Sequence, residues 1–307
     1  MPSSVPVPPA PLLPLIAAPM TGVSGPELVR AACAEGIVGS FPTHNARDVA
    51  ELDAWLTDID RGLADVAEPG PIAPNLVVHP TNRRLQADLD CVLAHGAPMV
   101  ITSVGSPAAV VPALHEGGCA VLADVATLRQ ARKATEAGVD GLVLLTAGAG
   151  GQTGHANPFA FVRAVREFFT GTIVLAGGIA DGRALWAAQV LGADLGYAGT
   201  SFIATRESLA SPAYQQALVA ATLDDVRLSA EVSGLPASVL AQWLEQREEA
   251  PVAAGDFQED RLTAAPDVWS AGHGVTSVRA IATVAEVVDR FGDEYGRARK
   301  ESAGLVT

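Results

Sequence analysis

Residues 14–28 read PLIAAPMTGVSGPEL: a short apolar run, a loop, and the beginning of a helix. In an open, doubly wound sheet that binds a dinucleotide, the first strand leads directly into the pattern G-x-G-x-x-G. The loop after this run, MTGVSGPEL, does not have that glycine spacing. The stretch therefore disfavours an open dinucleotide-binding sheet. The alternative is a closed barrel, which the rest of the chain has to support.

Seven further apolar runs follow, and helical segments separate them. The eight predicted strands lie near 14–19, 37–41, 74–78, 98–103, 120–124, 141–146, 172–177 and 195–199. Intervening segments such as DVATLRQARKATEAG end in a glycine, which is a common C-terminal helix cap. Eight strand–helix units at spacings of roughly 20–35 residues predict an α/β fold, specifically a (β/α)₈ or TIM barrel.

The pattern changes after the eighth strand. Residues 208–250 have helical character, and a looser stretch follows before a last helix. We therefore predict three parts: a barrel over 1–207, a helical lid over 208–265, and a C-terminal segment over 266–307 that returns to the barrel. A long insertion after a barrel strand is expected to cover the active-site face.

The charge of the chain excludes several classes of partner. A formal net charge of −14 over 307 residues argues against nucleic acid or an anionic membrane surface. No uninterrupted apolar run is long enough to predict a membrane span. A small anion is compatible with this charge, because backbone amides at a helix N-terminus bind phosphate locally.

Composition also narrows the chemistry and the compartment. Lys133 and Lys300 are the only lysines, so Schiff-base chemistry has almost no candidate. The three cysteines, Cys33, Cys91 and Cys119, are unclustered and lie in apolar settings, which indicates reduced thiols. The N-terminus lacks the basic start of a signal peptide, so we expect a cytoplasmic protein.

Two glycine-rich loops stand where a barrel places its ligand site. Gly177 and Gly178 follow the seventh predicted strand, and Gly199 and Thr200 follow the eighth, before the short helical segment SFIATRE. Such loops, feeding a short extra helix, make the recurrent phosphate site of barrels. The alternative is a pair of glycine turns without a ligand.

Two other strands carry candidates with open interpretations. Met20, at the end of the first strand, is either core filler or part of a cofactor wall. Asn75 is a polar amide inside an apolar strand and needs hydrogen bonds. Either the edge of a planar heterocycle or the backbone of a neighbouring strand would supply them.

Other sources of chemistry are poorly represented. The six histidines are isolated, without H-x-H or H-E-x-x-H spacing, and no paired carboxylates stand at ligand spacing, so no metal centre is predicted. The G-x-S-x-G nucleophile elbow is missing as well. We therefore expect a phosphate-bearing cofactor to carry the chemistry.

The loop after the sixth strand, within LTAGAGGQTGHANPFAFV (145–162), suits such a cofactor. Its run AGAGG has almost no side chains, so a flat ring is able to lie against the backbone. Gln152 and His155 then project over the barrel mouth. The alternative is that both are ordinary loop residues with local hydrogen bonds.

Taken in order, these segments resemble the nitronate monooxygenase family, formerly the 2-nitropropane dioxygenases, which are FMN-dependent barrels. The resemblance rests on PLIAAPMTGVSGPELVRAACAEGIVGS, GVDGLVLLTAGAGGQTG, IVLAGGIADGRAL, ADLGYAGTSFIATRES and DVWSAGHGVTSV. It implies that FMN contacts the following residues: Ala18, Pro19, Met20, Asn75, Ser103, Gly151, Gly177, Gly178, Ala198, Gly199 and Thr200.

One position departs from the family. The family usually reads AGGH, and that histidine is its proposed base or proton donor, whereas this chain has Gln152. Glutamine does not take up a proton near neutral pH. Either His155 replaces it, or no base is needed because a nitronate is already an anion.

The resemblance implies an FMN-dependent oxidoreductase that oxidises nitronates or related small carbanionic substrates with O₂. The alternative is an FMN-dependent, NAD(P)H-using reductase of activated, enoyl-thioester-type double bonds. A flavin-binding module without enzymatic activity is a third interpretation. The oligomeric state is left open.

Overall fold

Eight parallel strands form a closed barrel in the computed structural model, which describes residues 5–10, 12–246, 255, 257 and 267–304. Strand β9 closes the barrel by pairing with β1, where Tyr197 lies opposite Ile16. The barrel strands, in order around it, are β1 (Leu15–Ala17), β2 (Val38–Pro42), β3 (Ile72–Val77), β4 (Met99–Ser103), β5 (Ala120–Val125), β6 (Gly141–Leu145), β8 (Thr172–Ala176) and β9 (Leu195–Ala198). The predicted (β/α)₈ barrel is confirmed.

Helices surround the barrel and cover its ends. They are α1 (Pro26–Ala34), α2 (Val49–Leu63), α3 (Leu85–Ala94), α4 (Val111–Glu116), α5 (Leu128–Glu136), α6 (Pro158–Arg166), α7 (Gly182–Leu191), α8 (Thr200–Ile203), α9 (Pro212–Ala220), α10 (Ala241–Glu245) and α11 (Val284–Ala303). Side-chain caps fix where many of them begin, as where Asp181 accepts from the Ala184 amide at 2.8 Å. No helix in the described ranges has the length and apolar character of a membrane span.

The two faces of the barrel strands bury different side chains. Along β5, Val121 and Ala123 pack outward against the helices, whereas Ala120 and Leu122 belong to the barrel interior. Because side chains alternate along a strand, Asp124 also points inward, at the C-terminal end of the barrel. Tyr197 packs against the same interior cluster from β9.

The N-terminal segment closes the opposite end of the barrel. Val5, Val7 and Ala10 pack against the interior cluster. The Val5 amide donates to Asp140 Oδ1 at 2.9 Å, and Asp140 Oδ2 accepts from the Val121 amide at 2.8 Å. A ligand is therefore expected to enter from the C-terminal ends of the strands.

The lid is not wholly helical, contrary to the prediction for 208–265. After α9, strands β10 (Val226–Ser229) and β11 (Ala237–Leu240) pair antiparallel, and β11 also pairs with β7 (Gly151–Gln152). A glycine with φ +84°, Gly234, and a proline soon after it interrupt the helical pattern between the two strands. Residues 247–254, 256 and 258–266, with the predicted lid boundary, lie outside the described residues.

Candidate active site

A cavity of about 200 Å³ opens at the C-terminal ends of the barrel strands. We call its three parts the floor, the wall and the roof. The floor consists of side chains from the strand ends, namely Asn75, Ser103, Asp124 and Tyr197. The wall consists of the loops after β1, β6, β8 and β9, and the roof consists of lid residues that include Val232, Ala237 and Phe257.

On the floor, Asn75 and Ser103 form a fixed polar pair. Asn75 Nδ2 donates to the Ile101 carbonyl at 3.2 Å, and the Ser103 hydroxyl donates to Asn75 Oδ1 at 3.2 Å. The neighbouring strand β4 thus supplies some of the hydrogen bonds that the buried Asn75 amide needs, which was one of the two interpretations of this residue. Both side chains still line the cavity, so the pair presents an oriented polar surface to a ligand.

Asp124 and Tyr197 share the floor and were missed by the sequence analysis. Asp124 Oδ1 and the Tyr197 hydroxyl are both buried, and neither has a hydrogen-bond partner among the described residues. Burial raises the pKa of the Asp124 carboxyl to about 7. Burial, assisted by the nearby Asp124 charge, raises the pKa of Tyr197 well above its usual value. The sequence AVLADV (120–125) did contain a signal for Asp124, because the alternation of side chains places this carboxyl inside the barrel at the end of a strand.

The loop after β1 is held rigidly. The Met20 amide donates to Ser24 Oγ at 3.0 Å, and Asn45 Nδ2 donates to the Met20 carbonyl at 2.9 Å. Ala18, Pro19 and Met20 all line the cavity, so Met20 forms part of its wall. The wall carries little charge here, since no lysine or arginine lines the cavity among the described residues.

His44 lies beside this loop and also lines the cavity. Its Nε2 is 3.0 Å from Thr21 Oγ1. Burial, and to a lesser degree the positive charge of Arg84, lower the pKa of His44 to about 4. The imidazole is therefore neutral at physiological pH and serves as a hydrogen-bonding group.

The glycine loops after β8 and β9 form a cradle of backbone. Gly178 has φ +73°, and a Cβ at this position would meet no atom within 4 Å. Helix α8 begins beside it without a side-chain cap, and Gly199, Thr200 and Ser201 line the cavity. Thr200 Oγ1 accepts from the Gly272 amide at 3.0 Å, so this hydroxyl also holds the C-terminal segment. Unobstructed backbone next to an uncapped helix start suits an anionic group.

The loop after β6 places Gln152 at the cavity and His155 away from it. Gln152 lies in β7, opposite Ala237, and lines the cavity with Gly151. His155 is exposed and is not among the lining residues. The reason is that the loop folds back on itself, since the Ala147 amide donates to the Ala156 carbonyl at 2.9 Å. The structure therefore does not support His155 as a proton-transfer group.

Ala198 was predicted to contact FMN, but it is not among the residues that line the cavity. It is buried in β9, and its carbonyl accepts from the Ala18 amide at 2.9 Å. Its role is to hold the loop after β1 in position.

Val104 was also missed. It lines the cavity directly after β4 and is the only non-glycine residue with a positive φ, +53°, in the described part of the chain. A β-branched residue in this region costs of order 1–3 kcal/mol and is held there by its surroundings. Sequence alone gave no signal for this conformation.

Comparison with known proteins shows the family of the chain. The sequence profile of the nitronate monooxygenase family matches residues 72–291. The nitronate monooxygenase of Pseudomonas aeruginosa is 31% identical over 269 residues, which cover 72% of this chain and 74% of that protein. A Mycobacterium tuberculosis protein whose name assigns it as a monooxygenase is 31% identical over 239 residues, which cover 75% of this chain and 64% of that protein. The chain belongs to the nitronate monooxygenase family.

A solved structure supports the fold independently. The nitroalkane oxidase of Streptomyces ansochromogenes superimposes with a TM-score of 0.79 at 24% identity, covering 94% of this chain and 97% of that chain. At this identity the likeness concerns the barrel and its lid, and the chemistry has to be argued from the residues of the cavity.

A flavin mononucleotide fits the residues that are present. A Cβ at Gly178 would meet no atom within 4 Å, so the backbone there is open to a phosphate that would lie near the uncapped start of α8. The polar floor offers hydrogen bonds to the edge of a planar ring, and two buried polar atoms there lack protein partners. Apolar residues of the wall and roof would contact the faces of the ring.

Proposed function

We propose that the protein is an FMN-dependent oxidoreductase that oxidises nitronates or related carbanionic substrates with O₂. The observation that carries the proposal is a single cavity that joins a side-chain-free backbone cradle to a polar floor. Membership of the nitronate monooxygenase family supports the same reaction class.

The residues that would hold FMN divide by the part of the cofactor they face. Gly177, Gly178, Gly199 and Thr200 would bind the phosphate through backbone amides. The ring would lie on the floor and against the wall, in contact with Ala18, Pro19, Met20, Asn75, Ser103 and Gly151. FMN, when bound, supplies the chemistry of accepting electrons from the substrate and passing them to O₂.

The protein's own part in the reaction is to bind and orient the substrate and to shield it from water. The roof residues Val232, Ala237 and Phe257 cover the cavity with apolar side chains, which would limit the access of water to the reaction. Gln152 is able to hydrogen-bond the oxygen atoms of a nitronate, which is a role that needs no proton transfer. A substrate that arrives as an anion has already lost its carbon proton, so a site without a histidine at 152 is adequate for it.

Anaerobic reduction tests the proposal. Purified protein is mixed without oxygen with the nitronate of nitroethane, or separately with NADPH, and the absorbance of the bound flavin is followed. We expect the nitronate to bleach the flavin and readmitted O₂ to restore it. Bleaching by NADPH alone would instead assign a reductase. A protein whose flavin responds to neither reagent would contradict an enzymatic role of this type.

A further inference from the structure

The floor of the cavity contains one group that changes charge near neutral pH. The titratable side chains that line the cavity, among the described residues, are His44, Asp124, Tyr197 and Tyr214. His44 is neutral, as described above, and burial raises the pKa of both tyrosines above the usual value of 10. Burial places the pKa of the Asp124 carboxyl at about 7.

The surroundings of Asp124 do not fix its charge. On β6 its neighbour in register is Val143, and on β4 the inward residue at the same end is Ser103. The nearest titratable group is Tyr197 of β9, which the charge of Asp124 reaches. No cation from these elements is paired with it, and Oδ1 has no hydrogen-bond partner in the described part of the chain. The carboxyl is thus free to respond to a charge that develops in the cavity.

We propose that Asp124 is a catalytic residue that contacts the bound flavin ring and takes up a proton when the ring is reduced. The inference rests on the proposed function, because it requires FMN on the floor. The two electrons come from the reductant, which is a nitronate in catalysis or dithionite in the laboratory. The ring takes up from solvent the one proton that its own two-electron reduction requires. A further proton moves from solvent to the Asp124 carboxylate, where an O–H bond forms, and this proton returns to solvent when O₂ re-oxidises the ring.

The physical reason is electrostatic coupling at short range. Reduction adds negative charge to the ring, and an ionised carboxylate beside it in a water-poor cavity is repelled strongly. Protonation removes this repulsion and converts the carboxyl into a hydrogen-bond donor. Since linkage is reciprocal, a ring that raises the proton affinity of Asp124 must itself be easier to reduce when Asp124 is protonated.

The test is the midpoint potential of the bound flavin as a function of pH, measured on the holoprotein between pH 5.5 and 9 by equilibration with redox dyes. We expect the wild-type potential to fall more steeply over part of this range, by the equivalent of one additional proton for each two-electron reduction. Asp124→Asn keeps the shape of the side chain and removes its titration, so its plot should lose the slope of one proton over this range and keep only the change of slope that the ionisation of the reduced ring itself produces. Its potential should exceed that of the wild type at high pH.

Two control variants isolate the assignment. Asp65→Asn removes an exposed carboxylate outside the cavity and should leave the steeper region intact. Tyr197→Phe removes the nearby hydroxyl and should retain it as well. A plot for Asp124→Asn that keeps the full wild-type slope would overturn the assignment to Asp124, whatever the result for Tyr197→Phe.

The wild-type measurement stands alone if Asp124→Asn fails to fold. A wild-type plot of constant slope from pH 5.5 to 9 would overturn the inference while leaving the proposed function intact. A protein that binds no flavin would contradict the proposed function itself. The two failures are therefore distinguishable.

Discussion

At the scale of single residues, Gln152 occupies the position of the family's proposed base and is itself unable to take up a proton from the substrate. It lines the cavity at the position where the family usually has a histidine, and its amide donates and accepts hydrogen bonds without titrating. A neutral nitroalkane has to lose a carbon proton before it is oxidised, whereas a nitronate does not. The protein should therefore discriminate strongly between the two forms of one compound.

Gln152→His should restore a group able to take that proton. We expect turnover on neutral nitroethane to rise roughly 10²-fold, which is the size of a general-base effect, with little change on its nitronate. Steady-state rates with each form, measured before they interconvert, check this. His155→Ala is the matched control and should change neither rate, because His155 is exposed outside the cavity. A large loss in His155→Ala would contradict the site described above.

Asp124 should make the stability of the flavin-free protein depend on pH. Its carboxyl ionises near pH 3.8 in the unfolded chain and near pH 7 in the folded protein. The folded protein thus binds more protons than the unfolded chain between these values, so the free energy of unfolding falls as pH rises through this window. Asp124→Asn should stabilise the protein by roughly 1–4 kcal/mol at pH 8 and hardly at all at pH 4.

Urea unfolding at the two pH values measures this difference. Asp65→Asn serves as the control, since an exposed carboxylate should show no comparable gain. An Asp124→Asn variant that is less stable than the wild type at pH 8 would mean that the carboxylate has a stabilising partner in the protein.

At the scale of elements, the loop after β8 should determine whether the cofactor is retained. Gly178→Asp introduces a side chain and a negative charge into the open space assigned to a phosphate. Gly118 offers a matched position at the other end of the barrel, because its φ is +74° and its Cβ would also meet no atom within 4 Å. Both substitutions carry similar backbone strain, of about 1–2 kcal/mol.

We expect Gly178→Asp to lose its flavin and Gly118→Asp to keep it, with similar decreases in melting temperature. Flavin content after gel filtration and thermal melts of both variants provide the comparison. Equal flavin retention in the two folded variants would show that the phosphate binds elsewhere.

The lid elements should control substrate choice. Phe257 of the roof is buried, lines the cavity and meets His79 edge-on at 5.1 Å between ring centroids. Phe257→Ala should admit bulkier nitronates while leaving flavin affinity unchanged, because none of the expected flavin contacts belongs to the lid. Rates with nitronates of increasing size test the change in substrate range, and titration with flavin tests the unchanged affinity. Loss of flavin without a change in substrate range would contradict this division of roles.

Some elements were predictable from sequence and others were not, for physical reasons. All eight barrel strands were located, because buried parallel strands are short, continuous apolar runs separated by helices. Strands β10 and β11 were missed, since each has only four residues, and the pairing of β11 with β7 involves residues far apart in sequence. The cradle glycines were found from their place after the last two strands. The outward course of the loop at His155, set by backbone hydrogen bonds, was not.

At the scale of the whole molecule, the protein has a formal net charge of −14. Among the described residues, no lysine or arginine lines its cavity to offset this charge. A phosphate-bearing cofactor in this cavity would therefore be held by backbone amides and by the start of a helix, with little help from side-chain charge. The affinity of the protein for this cofactor should accordingly depend on the conformation of the loops after β8 and β9 more than on ionic strength. We expect the cofactor held in this way to be FMN.

The most direct measurement of that claim is the identity and amount of the cofactor released from purified protein. Heat denaturation, followed by absorbance and mass spectrometry of the supernatant, should give FMN in an equimolar amount, with no flavin left covalently attached to the chain. FAD in the supernatant, or a colourless folded protein that does not take up added FMN, would contradict the account.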